Sequence, residues 1–357
     1  MSNTATISLR TMLHVLAETT HFYPTASPVI PLDWPDEAWD RFIALAHHHR
    51  VTPLLSYHAQ CGDLPEWPPE VMRQLQKSLH TCRLRHLAGS RELARISAAF
   101  KAADISFIPL KGPSLADEAY ADTGLRPFDD LDVLVEPPHT SRAETILMAL
   151  GYRSLASRLP TRFMRRYHFH TQWVHEETRQ CVEIHWHPAD SRNAPHSPNV
   201  TSYVRELHED PAAMPVYLAT HIAKHGYANK LWLSHQINPL LVLHPWSDIR
   251  LLWLLDFRGL CAKRQLDRNM LTHTAERWRT QPALNFVQHL ISTPRAQQAP
   301  VPGTLPRFSP KAAILRHMNR DLDLSAIPPP SPWCLRANQQ TGFRPIRFFD
   351  LFERNTL

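Results

Sequence analysis

From about residue 8 to residue 103, apolar side chains recur every three or four positions, as in AWDRFIALAHHH and along 71–103, and this spacing predicts α-helices. Prolines at 28, 31, 35, 53, 65, 68 and 69 divide the stretch into separate helices. The period then changes. Residues 105–110 and 131–135 read as short strands, and 114–120 and 142–150 as helices, the second ended by Gly151. Two further strands, 170–174 and 181–186, are joined by the polar segment EETRQ. Beyond a Pro- and Asn-rich connection at 188–200, helical spacing returns and runs to about residue 292, with apolar centres at 218–224 and 251–260. From Pro294 onward the density of proline favours extended chain, relieved by IRFFDLFER, which could form a short amphipathic helix.

The pattern predicts an α+β protein: a helical region at 1–103, a small mixed-sheet core at 104–190, a second helical region at 200–292 and a Pro-rich tail at 293–357. No internal repeat is present. With 357 residues, 43% of them hydrophobic, the chain can bury a substantial core. The apolar run at 251–255 is broken by Asp256 and Arg258, far short of the roughly 20 residues that span a bilayer. The N-terminal segment has no sustained apolar stretch of the secretory kind, so a cytoplasmic location without membrane attachment is expected. Five cysteines, widely spaced and with no CxxC pair, read as buried thiols rather than a disulfide framework or zinc site. With only nine glycines and no GxxxxGK[ST] or GxGxxG, P-loop and dinucleotide fingerprints are excluded at the level of motif.

Candidate chemistry lies in IPLKGPSLADEAYADTGLRPFDDLDVLV. Asp130 and Asp132 stand at i and i+2 on a strand, so their carboxylates share a face. Two such groups repel unless a cation lies between them. Mg²⁺ or Mn²⁺ accepts hard oxygen ligands and keeps positions for substrate phosphates, so the pair points to nucleotide chemistry. In VEIHW, Glu183 and His185 share one strand face; were this strand beside the one carrying Asp132, Glu183 would complete a carboxylate triad able to hold two divalent ions. Lys111 and Gly112 lie between a strand and a helix, so the Gly112 backbone could approach a phosphate, with Lys111, Ser114 and Arg126 supplying further contacts. A net charge of +6 is compatible with an anionic substrate.

The series LKGPSLADEAYADTGLRPFDDLDVLV, VEIHWHP, LATHIAKHGY and LLWLLDFRGL resembles the uncharacterised bacterial nucleotidyltransferase family of the polymerase-β-like nucleotidyltransferase superfamily, from about residue 40 to about residue 265. The resemblance implies Asp130, Asp132 and Glu183 as metal ligands and catalytic carboxylates, with Lys111 and Gly112 in the nucleotide-facing turn. The wider superfamily has a Gly-Ser pair at this turn, whereas here Pro113 separates Gly112 from Ser114. The implied reaction moves NMP from an NTP, ATP being the first expectation, to an acceptor with release of pyrophosphate. A small-molecule or peptide acceptor is favoured over nucleic acid. His185, His221, Lys224 and His225 are candidate pocket residues.

Two rival readings remain open on the sequence. One is a non-catalytic, antitoxin-like binding or regulatory protein that keeps the fold. The other is a metal-dependent hydrolase built on His221 and His225, which share a helix face at i and i+4, with Asp256 as third ligand. The run His47, His48 and His49 cannot converge on one ion, because consecutive helical positions diverge.

Overall fold

In the computed structural model, the described residues are 34–155 apart from 63, 65 and 66, then 169–188, 202–228 and 249–292, with part of 12–20. Proline sets the helix starts as expected. Pro35 precedes α1 (Asp36–His48), and prolines lie in the first turn of both α2 (Thr52–Gln60) and α3 (Pro69–Ala102), where the missing N–H costs nothing. Over its 34 residues α3 buries a stripe with three- and four-residue spacing that includes Leu75, Leu79, Cys82, His86, Leu93 and Ile96.

Five strands follow: β1 (Phe107–Pro109), β2 (Asp130–Val135), β3 (Tyr152–Ser154), β4 (His170–His175) and β5 (Cys181–His185). Between them lie α4 (Pro113–Ala119) and α5 (Thr140–Ala149). The C-terminal flank consists of α6 (Tyr203–Glu209), α7 (Ala213–Ala228), α8 (Leu251–Lys263), α9 (Arg268–Arg277) and α10 (Gln281–Ser292). The protein is thus α+β, a mixed sheet with helical flanks. The sequence pattern does not announce β3: three residues with one buried side chain are too short to show a period of two.

The sheet order is β1-β2-β5-β4-β3. β2 runs parallel to β5, while the β1–β2, β5–β4 and β4–β3 pairs are antiparallel. One face is apolar: Leu131, Val133 and Val135 of β2 with Val182 and Ile184 of β5 pack on Ile96 and Phe100 of α3 and Leu147 of α5. Fully burying each such Val, Ile or Leu stabilises the fold by about 1.5–3 kcal/mol. Alternation places Asp130, Asp132 and Leu134 of β2 with Cys181, Glu183 and His185 of β5 on the opposite face, which carries the acids.

Contacts made by backbone and side chain tie the helical flanks to each other and to the sheet. The histidine run takes part in this: Leu251 N donates to His49 Nδ1 at 3.3 Å, Leu252 N to the His49 carbonyl at 3.3 Å, and Arg250 to the His48 carbonyl. Gly259 lets α8 approach α4, since a Cβ there would lie 3.2 Å from the Ala119 carbonyl oxygen. Arg264 forks onto Glu118 at 2.6 and 2.9 Å. Among the described cysteines Cys82 is buried, but Cys61 at the end of α2 is exposed, which corrects the expectation of uniformly buried thiols. No helix of the described residues is long and apolar enough to cross a membrane. Trp232, Trp246, Cys334, the Pro-rich tail and IRFFDLFER lie outside the described residues.

Gly89 is where α3 passes over the loop that leads into β2. A Cβ there would meet the Phe128 ring at 2.6 and 2.8 Å and Pro113 at 3.3 Å. Gly89→Val is expected to cost about 1–3 kcal/mol through overpacking, read as a lower urea midpoint at unchanged m-value.

Candidate active site

Parallel pairing places Asp132 opposite Glu183, Leu134 opposite His185 and Asp130 opposite Cys181. The condition on which the triad rested in the sequence is therefore met in the topology: ligand oxygens of Asp130, Asp132 and Glu183 all lie within 4.8 Å of one another. Asp132 and Glu183 are 3% and 4% exposed, and Asp130 is half-buried at the start of the strand. At 4.8 Å and an effective dielectric constant near 20, each carboxylate pair repels by about 3 kcal/mol. Positive groups nearby must offset that repulsion.

They come from three elements. Lys111 Nζ, at the end of β1, lies 3.1 Å from Asp132 Oδ2. His185 Nε2 lies 2.9 Å from Asp132 Oδ1 and 3.3 Å from Glu183 Oε2. From β4, Gln172 Nε2 donates to Glu183 Oε1 at 2.8 Å, and His170 Nε2 lies 3.8 Å from Glu183 Oε2. Burial alone would push the Glu183 carboxyl up, but His170, His185 and Gln172 together hold it well below the usual carboxylate range. Burial likewise opposes the charge on Lys111 and His185, and Asp132 and Glu183 outweigh it, so both bases hold their protons more tightly than free side chains. Tyr217 of α7 lies within electrostatic reach of Lys111, Asp132 and Glu183, and burial pushes its hydroxyl up.

Lys111 and Gly112 sit beside the carboxylates. Leu110 N donates to the Asp132 carbonyl at 3.0 Å, extending β1 to the residue before Lys111. Gly112 adopts φ 69° and ψ −139°, a conformation other residues take at a cost, and it brings the backbone close to the Asp130 carbonyl.

Arg126 is placed differently from the expectation. Its Nε and Nη2 donate to Asp256 Oδ1 and Oδ2, both at 2.9 Å, its Nη1 reaches the Gly112 carbonyl at 3.5 Å, and Arg126 and Asp256 are 3% and 1% exposed. Tyr120 Oη adds a hydrogen bond of 2.7 Å to Asp256 Oδ1. A fork closed on one carboxylate and a carbonyl braces the turn from below and does not present itself to phosphate. The same pair corrects the hydrolase reading, since Asp256 is held by Arg126 while His221 meets the Trp253 ring edge-on and His225 lies tilted against it, with centroids 4.9 and 4.6 Å away. Among the described residues, the groups able to hold a metal include neither His221, His225 nor Asp256. Ser114 lines a groove of about 620 Å³ between α3 and β1, whose walls contain none of the three carboxylates. Lys224 of α7 sits 3.9 Å from the Phe169 ring centroid, and that ring packs on His170 and His185, so Lys224 belongs to the rim of the site.

His170, Gln172 and Tyr217 were not singled out in the sequence. The first two carried a signal: in a hairpin closed through EETRQ, residues 170 and 172 fall opposite 185 and 183, as the β4–β5 register has them. Tyr217 carried none.

A five-stranded mixed sheet with helical flanks and a carboxylate triad across two parallel strands is consistent with a nucleotidyltransferase domain. The model of the uncharacterised nucleotidyltransferase family matches residues 35–294, and the chain belongs to that family. No curated protein and no solved structure matches the chain.

Because the Arg126–Asp256 pair is buried, removing one partner strands a charge. Asp256→Ala should lower stability by about 3–5 kcal/mol in chemical denaturation, whereas Arg126→Met combined with Asp256→Leu should recover most of the loss.

Proposed function

We propose that this protein transfers NMP from an NTP, ATP first among them, to a hydroxyl or similar group of a small molecule or peptide, releasing pyrophosphate. Family membership supports nucleotidyl transfer as the general activity. The observation that carries the finer reading is the convergence of Asp130, Asp132 and Glu183 within 4.8 Å on the polar face of the sheet. Their donor set is all carboxylate oxygen, which fits Mg²⁺ or Mn²⁺. When bound there, divalent ions would polarise the α-phosphate and neutralise the pyrophosphate as it leaves.

The chain's own groups supply the rest. Lys111, already charged and beside Asp132, offers a point charge to phosphate oxygens. Gly112, held from below by Arg126, gives the backbone a close approach to the phosphates. Lys224 of α7, over the Phe169 ring at the rim of the site, is a candidate to meet the acceptor or the nucleoside, while the buried Tyr217 of α7 lies within electrostatic reach of Lys111 and the carboxylates. In the reaction the acceptor oxygen forms a bond to the α-phosphorus, the bond from that phosphorus to the bridging oxygen breaks, and the acceptor's proton is lost.

The test is incubation of purified protein with each α-³²P-labelled NTP, Mg²⁺ or Mn²⁺, and a cell extract as the source of acceptor. Label is expected in an acid-stable product, and Asp132→Asn should lower it by more than about 100-fold, beyond the loss typical of residues that only support a ligand. No incorporation with any nucleotide, together with no metal-dependent NTP binding, would overturn the enzyme reading in favour of a binding protein on the same fold.

A further inference from the structure

We infer that the site contains a second metal position of different chemistry, made by His170, Glu183 and His185, which takes a borderline transition-metal dication such as Zn²⁺ or Co²⁺. It deepens the nucleotidyltransferase reading but does not require it, because two of its three ligands, His170 and His185, lie outside the carboxylate triad.

Geometry is the first support. One ligand atom from each of the three residues lies within 4.8 Å of the other two, and all three side chains are buried. His185 Nε2 and His170 Nε2 lie 3.3 and 3.8 Å from the same oxygen, Glu183 Oε2. Ligand atoms about 2.1 Å from a common metal are separated by about 3.0–3.4 Å at angles between octahedral and tetrahedral. The His185–Glu183 edge is already in that range, the His170–Glu183 edge is wider, and the edge between the two imidazoles lies within 4.8 Å, so side-chain rotation must close the set. The backbone supports the arrangement as well. His170 pairs with His185, and Gln172 with Glu183, across the β4–β5 hairpin, and the two imidazoles stack with centroids 5.0 Å apart and planes inclined by 30°. Gln172 fixes the other Glu183 oxygen at 2.8 Å, the outer contact expected of a ligating carboxylate.

Chemistry is the second support. His185 Nε2, the atom that faces Glu183, also lies 2.9 Å from Asp132 Oδ1, so a metal taking that nitrogen would replace its contacts with two carboxylates. Two nitrogens and one oxygen form a set that prefers Zn²⁺ or Co²⁺ to Mg²⁺ and Mn²⁺, whereas Asp130, Asp132 and Glu183 form a set of hard oxygens. Glu183 belongs to both sets, so it would bridge two unlike ions, with Mg²⁺ suited to one position only.

The experiment uses untagged full-length protein, so that no added histidine contributes. Co²⁺ is titrated in with Mg²⁺ present to fill the oxygen set, and ¹⁴N couplings to the bound Co²⁺ are read by pulsed electron paramagnetic resonance. The expected result is coupling to two imidazole nitrogens. His170→Ala should reduce it to one and weaken Co²⁺ binding by at least tenfold, while Asp130→Asn, which alters only the oxygen set, should leave both couplings in place. Bound Co²⁺ without nitrogen coupling in the wild-type protein would overturn the inference, whatever the variants do, as would coupling unchanged in His170→Ala. A protein that shows the couplings yet transfers no nucleotide would refute the enzyme reading and leave the metal position standing. Transfer without the couplings would do the reverse.

Discussion

The parallel pairing of β2 with β5, in the register that sets Asp132 against Glu183, is the constraint on which the rest of the structure depends. Parallel neighbours need a long connection, and here α5, β3 and β4 supply it. A slip of one residue would turn both carboxylates into the core and expose the apolar side chains. The apolar face forbids that slip. Val133 and Ile184, side by side and fully buried, belong to the cluster packed on α3 and α5, so the positions of the acids follow from the packing of their neighbours. The hydrophobic core is thus what aims the polar face.

That polar face is expensive to build, because buried carboxylates lose hydration and repel one another. The charges that compensate them arrive from separate elements: Lys111 from the end of β1, His185 from β5 and His170 from β4. Neutralisation by side chains that can move aside is chemically different from neutralisation by a fixed Arg. Lys111 has a flexible stem, and an imidazole can change from hydrogen bonding to ligation once it gives up its proton. The fixed Arg in this region is Arg126, closed on Asp256 and away from the three acids' polar contacts. The division of roles is consistent: permanent charge pairs support the scaffold, and exchangeable ones stand where ions and phosphates would enter.

How much of this was legible follows the same division. Residues two apart on a strand show themselves in sequence, and so Asp130 with Asp132, and Glu183 with His185, could be read as sharing a face. The apolar alternation around them also gave the sheet and its helical flanks. What could not be read was any relation between distant segments. The Arg126–Asp256 pair spans 130 residues, and nothing near Arg126 distinguishes a buried brace from a phosphate ligand. In sequence Asp256 could be imagined as the third ligand of a metal site with His221 and His225, although packing of that helix face was the better reading, and the structure shows its oxygens occupied by Arg126. His170 and Gln172 lie between these cases, because their hairpin is local and its register could have been worked out from the turn.

The flanking helices also explain why a site made by a small sheet is matched as part of a family spanning residues 35–294. Gly112 holds its conformation above Arg126, whose charge is balanced only by Asp256 of α8 among the described carboxylates it bonds. In turn α8 is fixed to α4 through Gly259 against Ala119, through Arg264 on Glu118, and to the α1–α2 junction through His49. Cutting the chain at either side of the sheet would leave Arg126 buried without its counter-ion, or α8 without its anchor. The turn beside the carboxylates is therefore a property of sheet and helices together, and the strands alone would carry the acids without holding Lys111 and Gly112 in place beside them.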